Sequence, residues 1–186
     1  MSETPAFEQN VVALIWDFDK TLISGYMQAP LFDKFDVDSN QFWNEVRQLK
    51  TYYRAQGIRV NPDSIYLNHL LTYIQKGPLQ GLNNQTLFEL GKELEFYPGI
   101  PEFFSQIKHE LENEDTFKRY SVTIEHYIVS TGFAQMIRGC DLADYVEGIW
   151  GCEFIEKPAP MGYLDEPYPQ FSEGGITQIA SALDNT

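Results

Sequence analysis

Asp17 and Asp19 lie two residues apart in Trp16-Asp17-Phe18-Asp19-Lys20-Thr21-Leu22, directly after the apolar run Val11–Trp16. Side chains alternate between the faces of a strand, so residues two apart leave on the same side. Two carboxylates this close do not both ionise cheaply unless a cation sits between them. A hard divalent ion with oxygen ligands, most simply Mg²⁺, is the natural occupant. A carboxylate is also a recognised covalent nucleophile, and a second one two residues on can reach a leaving group as acid and base. The plainer alternative is a polar exit from a strand, with Asp19 capping a turn.

A second constellation is Tyr127-Ile128-Val129-Ser130-Thr131-Gly132, where Ser130 stands 113 residues after Asp17. An apolar strand runs into a hydroxyl residue, then glycine, then a short helix. Ser130 and the N–H groups of Thr131 and Gly132 would meet a phosphate at a helix N-terminus. Taken alone, Ser130 reads more readily as a helix N-cap.

The elements that must position these residues form an α/β pattern with an early interruption. Val11–Trp16 is β-branched-rich and uninterrupted, as a buried parallel strand is. Three helices without an intervening strand follow. They are expected over Asn40–Ala55, where Phe42, Val46, Leu49 and Tyr53 recur at helical spacing; Pro62–Gln75, with Asn61 as N-cap; and Asn84–Glu95. The aromatic residues of this stretch (Phe42, Trp43, Tyr52, Tyr53, Tyr66, Tyr73) read as its own core rather than as a binding box. Tyr97-Pro98-Gly99 then turns into a helix over Pro101–Glu112. A second strand centres on His126–Val129, a short helix on Phe133–Arg138, and Tyr145–Trp150 and Cys152–Ile155 read as a short strand and its neighbour. Lys157–Gly175, with four prolines and three glycines, is a loop or hairpin excursion. The fold class is therefore α/β, a doubly wound Rossmann-like parallel sheet with a helical insertion, short of strands after Thr131.

Composition narrows the function classes. At 186 residues the chain is one domain with room for an insertion, and 43% hydrophobic with 22% charged residues excludes disordered, collagen-like and coiled-coil classes. The longest apolar run has six residues, so no membrane-spanning helix is expected. The first ten residues carry two glutamates and no basic stretch, unlike a secretory signal. Acidic residues outnumber basic ones 27 to 13, a net charge of −14 that disfavours nucleic acid and anionic membrane as partners. A phosphate-bearing substrate would need a local device against that field. Cys140 and Cys152 fit neither a disulfide framework nor a zinc site, and with three scattered histidines they point to the cytoplasm.

Asp17-x-Asp19-x-Thr21 after an apolar strand resembles the signature of the haloacid dehalogenase-like superfamily, in its phosphoserine-phosphatase-type branch. The resemblance implies a Mg²⁺-dependent phosphatase acting on a small phosphorylated substrate. Asp17 would be the nucleophile that becomes an aspartyl-phosphate. Its other oxygen and the backbone carbonyl of Asp19 would bind Mg²⁺. The Asp19 side chain would protonate the leaving oxygen and then activate water, and Thr21 would hold Asp19 and the loop. Ser130, Thr131 and Gly132 match the second motif, which binds the transferring phosphoryl group. The second carboxylate favours phosphoryl transfer over carbon–halogen cleavage, since dehalogenases resemble the motif but lack it. Residues 27–95 would be a helical cap between core segments 1–26 and 96–186, with Ile23–Pro30 coupling cap movement to the site. Tyr97-Pro98-Gly99-Ile100-Pro101-Glu102 resembles the branch's re-entry to the core.

The family pattern further requires a lysine and a later acidic pair. Lys157 precedes Pro158-Ala159-Pro160 rather than starting a helix, Arg138 is expected on the solvent side of its helix, and Asp141, Asp144, Asp165 and Glu166 sit in turns or the proline-rich stretch. Gly174–Thr186 resembles the stretch just before the lysine motif, which suggests an N-terminal portion of a longer enzyme. A non-catalytic phosphate- or partner-binding module on the same fold is the alternative.

Overall fold

The β-branched run Val11–Trp16 forms β1, and Thr123–Phe133 lies beside it as β2, in parallel register from Val11 opposite Thr123 to Trp16 opposite Ile128. The structure is a computed structural model that describes residues 10–159, 161–162, 176 and 178–180. Gly148–Ile155 continues the sheet as β3, parallel to β2, and Gln178–Ala180 closes it as β4, antiparallel to β3. Among the described residues the spatial order is β1-β2-β3-β4, a Rossmann-like α/β sheet in which one pair, β3 with β4, is antiparallel.

Between β1 and β2 run α1 (Ala29–Lys34), α2 (Ser39–Arg54), α3 (Ile65–Lys76), α4 (Asn84–Gly91), α5 (Glu102–Asn113) and α6 (Asp115–Arg119), and α7 (Ala134–Gly139) follows β2. The short α1 and α6 have too few turns to show a period and were not expected. The carboxylate of Asp38 starts α2 by accepting from the N–H groups of Asn40 and Gln41. Asn61 instead holds the turn before α3 by accepting from the Asp63 N–H at 2.9 Å, so α3 begins at Ile65 and not at Pro62.

Helix α4 ends at Gly91, short of the expected Glu95, where it meets α7 backbone to backbone. A Cβ on Gly91 would come within 2.1 Å of the Met136 carbonyl oxygen, and one on Gly139 within 1.9 Å of that of Phe88. Only glycine permits this approach. The two strands expected at Tyr145–Trp150 and Cys152–Ile155 are a single strand for a related reason. Gly151 is no break; it lets α7 pass, with Ala134 backbone 3.0 Å from where a Cβ would stand.

One face of the sheet packs on α5. Phe104 is fully buried, its ring 5.1 Å from that of Trp16 and 4.5 Å from that of His126. The Trp16 indole donates to His126 Nδ1 at 3.1 Å, and burial holds the His126 pKa below its ordinary value. Val11, Ile15, Val129 and Trp150 share the opposite face and are exposed. One cluster of buried side chains extends from Phe18 and Leu22 through Phe42, Leu70 and Leu87 to Phe133 and Phe154, so the helical insert and the sheet share a core. Asn84 fastens the insert to the sheet: its backbone N–H donates to Glu156 at 2.7 Å and its side-chain amide to the Phe154 carbonyl at 2.8 Å. Among the described residues no helix is long and apolar enough to cross a membrane.

Candidate active site

Parallel pairing delivers both motifs to one edge of the sheet. Trp16 stands opposite Ile128, so Asp17, the first residue after β1, and Ser130, two residues on in β2, leave from the same carboxyl ends, where open α/β sheets place their ligands. Beyond Asp17 the chain makes one helical turn. The Leu22 N–H donates to the Phe18 carbonyl at 2.9 Å, and Phe18, Leu22 and Ile23 are buried as its apolar anchors. Lys20 takes the left-handed conformation, with φ 60°, at the point where this turn reverses.

The turn corrects one expectation. The Thr21 hydroxyl donates to Asp17 Oδ2 at 2.7 Å and not to Asp19, because the turn closed on the Phe18 carbonyl folds Thr21 back onto Asp17. Asp19 is held instead by the backbone N–H of Met27, at 2.9 Å from Oδ1. Burial raises the Asp19 pKa to about 6. The Asp17 charge pushes the same way, while the Met27 N–H and Lys20 pull it back. Asp17 itself is exposed. A carboxyl group that keeps its proton toward neutral pH thus stands two residues from an accessible carboxylate, the division of roles that acid and nucleophile require.

At the end of β2 the pairing with β3 shifts between Val129 and Phe133, and Ser130-Thr131-Gly132 lies in that irregularity. The strand continues to Phe133, so these residues are the strand's end and not the first turn of α7, which starts at Ala134. Ser130 is buried, and its hydroxyl accepts from the Gly132 N–H at 2.9 Å. Met27 ties the two motifs together: its backbone serves Asp19, and its sulfur accepts from the Phe133 N–H at 2.9 Å. A Cβ on Gly132 would collide with the Met27 side chain at 2.3 Å, which explains the glycine.

A cavity of about 190 Å³ opens between this edge and the helical insert. Asp19 and Thr131 contribute from the sheet side; Tyr26, Gln28, Trp43, Val46, Pro62, Asp63 and Tyr66 complete it. The Tyr66 hydroxyl donates to the Thr131 carbonyl at 2.6 Å, a direct link from α3 to the second motif, and burial drives its pKa up. Trp43 and Tyr66, expected as packing alone, therefore also form a wall of the site. Phe42 remains pure core, between Phe32 at 4.9 Å and Tyr73 at 5.1 Å, and Tyr52 is exposed.

The donors present suit Mg²⁺. Thr21 engages Asp17 Oδ2, no hydrogen bond among the described residues engages Oδ1, and that carboxylate is exposed. Mg²⁺ is commonly held by one or two protein oxygens, with waters and substrate phosphate completing its octahedron. Among the described residues no group of three or more His, Cys, Asp or Glu side chains is placed to hold a metal. Asp141 and Asp144 are exposed, Arg138 is paired with Glu153 on the surface, and Lys157 is exposed. Asp165 and Glu166 lie outside the described residues, as does most of Lys157–Gly175. Sequence reasoning reached Tyr26, Met27 and Gln28 only as part of the Ile23–Pro30 segment and missed Asp63, which nothing local marks.

No protein-family model matches the chain. An uncharacterized protein of Borreliella burgdorferi is 45% identical over 183 residues, an alignment that takes in 96% of this chain and 62% of the relative. Among solved structures, an aspartyl-phosphate-intermediate analogue of phosphoserine phosphatase superposes with a TM-score of 0.53 at 13% identity, covering 91% of this chain and 62% of that one. A haloacid dehalogenase family hydrolase of Salmonella enterica serovar Typhi gives 0.52 at 14% identity, over 80% and 42%. The chain thus spans about three-fifths of the length of its curated relative and of the phosphatase. Its fold is haloacid dehalogenase-like, of the phosphoserine-phosphatase type.

Proposed function

We propose that this chain, built on the haloacid dehalogenase-like fold, carries the nucleophile half of a Mg²⁺-dependent phosphatase that hydrolyses a small phosphomonoester through an aspartyl-phosphate. The observation that carries the reading is the pairing of an exposed Asp17, oriented by Thr21, with a half-buried Asp19 whose pKa is raised to about 6. One Asp17 carboxylate oxygen attacks phosphorus as the ester oxygen leaves, and Asp19 gives that oxygen its proton. Asp19, now ionised, takes a proton from water as the water attacks the aspartyl-phosphate, which releases phosphate and restores Asp17. Ser130, Thr131 and Gly132 bind the phosphoryl oxygens from the end of β2. Mg²⁺, held by the Asp17 carboxylate and the Asp19 backbone carbonyl, supplies charge neutralisation for the phosphoryl group.

In this reading residues 27–95 are a helical cap over core segments 1–26 and 96–186, and the Tyr66–Thr131 hydrogen bond is its contact with the site. Free, buried Cys140 and Cys152 agree with a cytoplasmic setting. A net charge of −14 disfavours nucleic acid and anionic membrane as partners.

The test is Mg²⁺-dependent phosphate release from an aryl phosphate by the folded chain, with Asp17→Asn as the control. Release that the substitution abolishes is the expected result. A folded chain that releases none supports the second reading, a non-catalytic phosphate- or partner-binding module. That reading is favoured by the lack of a third metal-binding carboxylate among the described residues. Calorimetric Mg²⁺ titration adds a second check, since two protein donors predict weak binding.

A further inference from the structure

Resting on the phosphatase reading, we infer that the organic part of the substrate is a short amino alcohol carrying a positive charge and no carboxylate, selected by Asp63, Gln28 and the aromatic wall beside Asp19. At about 190 Å³ the cavity is below the ~300 Å³ at which drug-sized sites begin. Asp17 and Ser130 do not line it, so the phosphoryl group stays outside beside them and a chain of two or three carbons enters the cavity.

The charge of its lining decides the chemistry. Asp19 and Asp63 are its carboxylic acids, and among the described residues no Lys, Arg or His side chain lines it. The nearest cation on the first-motif loop, Lys20, is already committed, with Nζ 4.0 Å above the Tyr26 ring and 2.9 Å from its hydroxyl. A substrate bearing a carboxylate beyond its phosphate would enter with nothing to pair it. An ammonium group would meet Asp63 instead, in a protein whose whole field favours cations.

The remaining walls agree. Tyr26, Trp43 and Tyr66 form a continuous aromatic surface, with ring centroids 5.3 Å and 5.7 Å apart along it. Aromatic rings attract ammonium groups and do not attract anions. Gln28 is fully buried beside the cavity, and its carbonyl oxygen has no hydrogen-bond partner among the described residues. A buried acceptor without a donor is costly, and the terminal amide torsion of glutamine is soft. A donor arriving in the cavity can claim that oxygen by a small rotation, and an ammonium brings three.

The test is equilibrium binding of three phosphonates to the folded chain with Mg²⁺: 2-aminoethylphosphonate, its uncharged isostere propylphosphonate, and 2-carboxyethylphosphonate. The amine is expected to bind about tenfold more tightly than the propyl compound, and the carboxylate most weakly. Asp63 is exposed and its side chain makes no hydrogen bond among the described residues, so Asp63→Asn leaves folding intact and narrows the amine-to-propyl ratio by about threefold or more. Equal affinities, preference for the carboxylate, or no binding of any of the three overturns the inference. Preferential amine binding by a chain that hydrolyses no phosphate upholds the selectivity and defeats the phosphatase reading. Aryl phosphate hydrolysis without the amine preference does the reverse.

Discussion

Asp19 in the loop after β1 and Glu45 in the helical insert are both acids set beside aromatic rings, yet they are treated in opposite ways. Glu45 is saturated with donors. Gln41 donates to Oε1 at 2.9 Å, while His69 and Tyr73 meet Oε2 at 2.7 Å and 2.8 Å. These bonds, that of Gln41 foremost, hold its pKa below the ordinary value. Asp19 receives one backbone N–H, and burial dominates and lifts its pKa to about 6. The first arrangement braces α2 against α3. The second leaves an acid under-solvated and free to exchange its proton. A carboxylate that holds structure is given donors, and one denied them has the perturbed pKa that the proposed acid role needs.

The largest expected effect concerns the partner of the reactive acid. Asp17→Asn keeps the shape and the Thr21 contact but removes the nucleophile, and steady-state assay should show kcat falling by about 10⁴-fold or more. Asp19→Asn leaves the nucleophile and removes the acid, so kcat should fall by about 10²- to 10⁴-fold.

The same Asp19→Asn substitution should raise stability. The folded pKa of Asp19 is raised from 3.8 to about 6, so between those values the native state binds more protons than the unfolded state. Stability from this group therefore falls as pH rises through that window, by at most about 3 kcal/mol. In metal-free buffer near neutral pH, thermal melting should place the variant several degrees above the parent, and the gap should close at about pH 4. An Asp19→Asn chain that melts lower at neutral pH would break the contrast.

The smallest effect belongs to the bracing acid. Glu45→Gln keeps the size but loses the charge that its donors prefer, and Glu45 is partly exposed, so denaturant titration should show a loss of about 1 kcal/mol. Its folded pKa is depressed, so that contribution is present above the unfolded value of 4.5 and is lost as pH falls through the folded one. Acidification thus strengthens the fold through Asp19 and weakens it through Glu45. The kcat of Glu45→Gln should stay within about twofold of the parent, because Glu45 does not line the cavity that holds Asp19.

What could be read in advance was local. Asp17 and Asp19 declare themselves through their spacing after a β-branched run, and Ser130-Thr131-Gly132 through its place after a second one. The bracing of Asp19 was not legible, since a turn of unknown handedness decides whether Thr21 faces position 17 or 19. Met27, Trp43 and Tyr66 reach the site through tertiary packing; the Tyr66–Thr131 hydrogen bond spans 65 residues. The aromatic run in the insert looked uniform, and only its fold separates Phe42, which is core, from Trp43, which lines the cavity. Gly151 read as a break in β3 because glycine usually weakens a strand, whereas here it admits a helix.

The most direct test of the central claim is to trap the intermediate. The folded chain would be mixed with an aryl phosphate and Mg²⁺, quenched in acid within the first turnover, digested and mapped by mass spectrometry. The predicted result is a phosphoryl group on the peptide carrying Asp17, assigned to that carboxylate by fragmentation and absent from Asp17→Asn. Phosphate release with no phosphorylated peptide, or with the group on any residue other than Asp17, would contradict it.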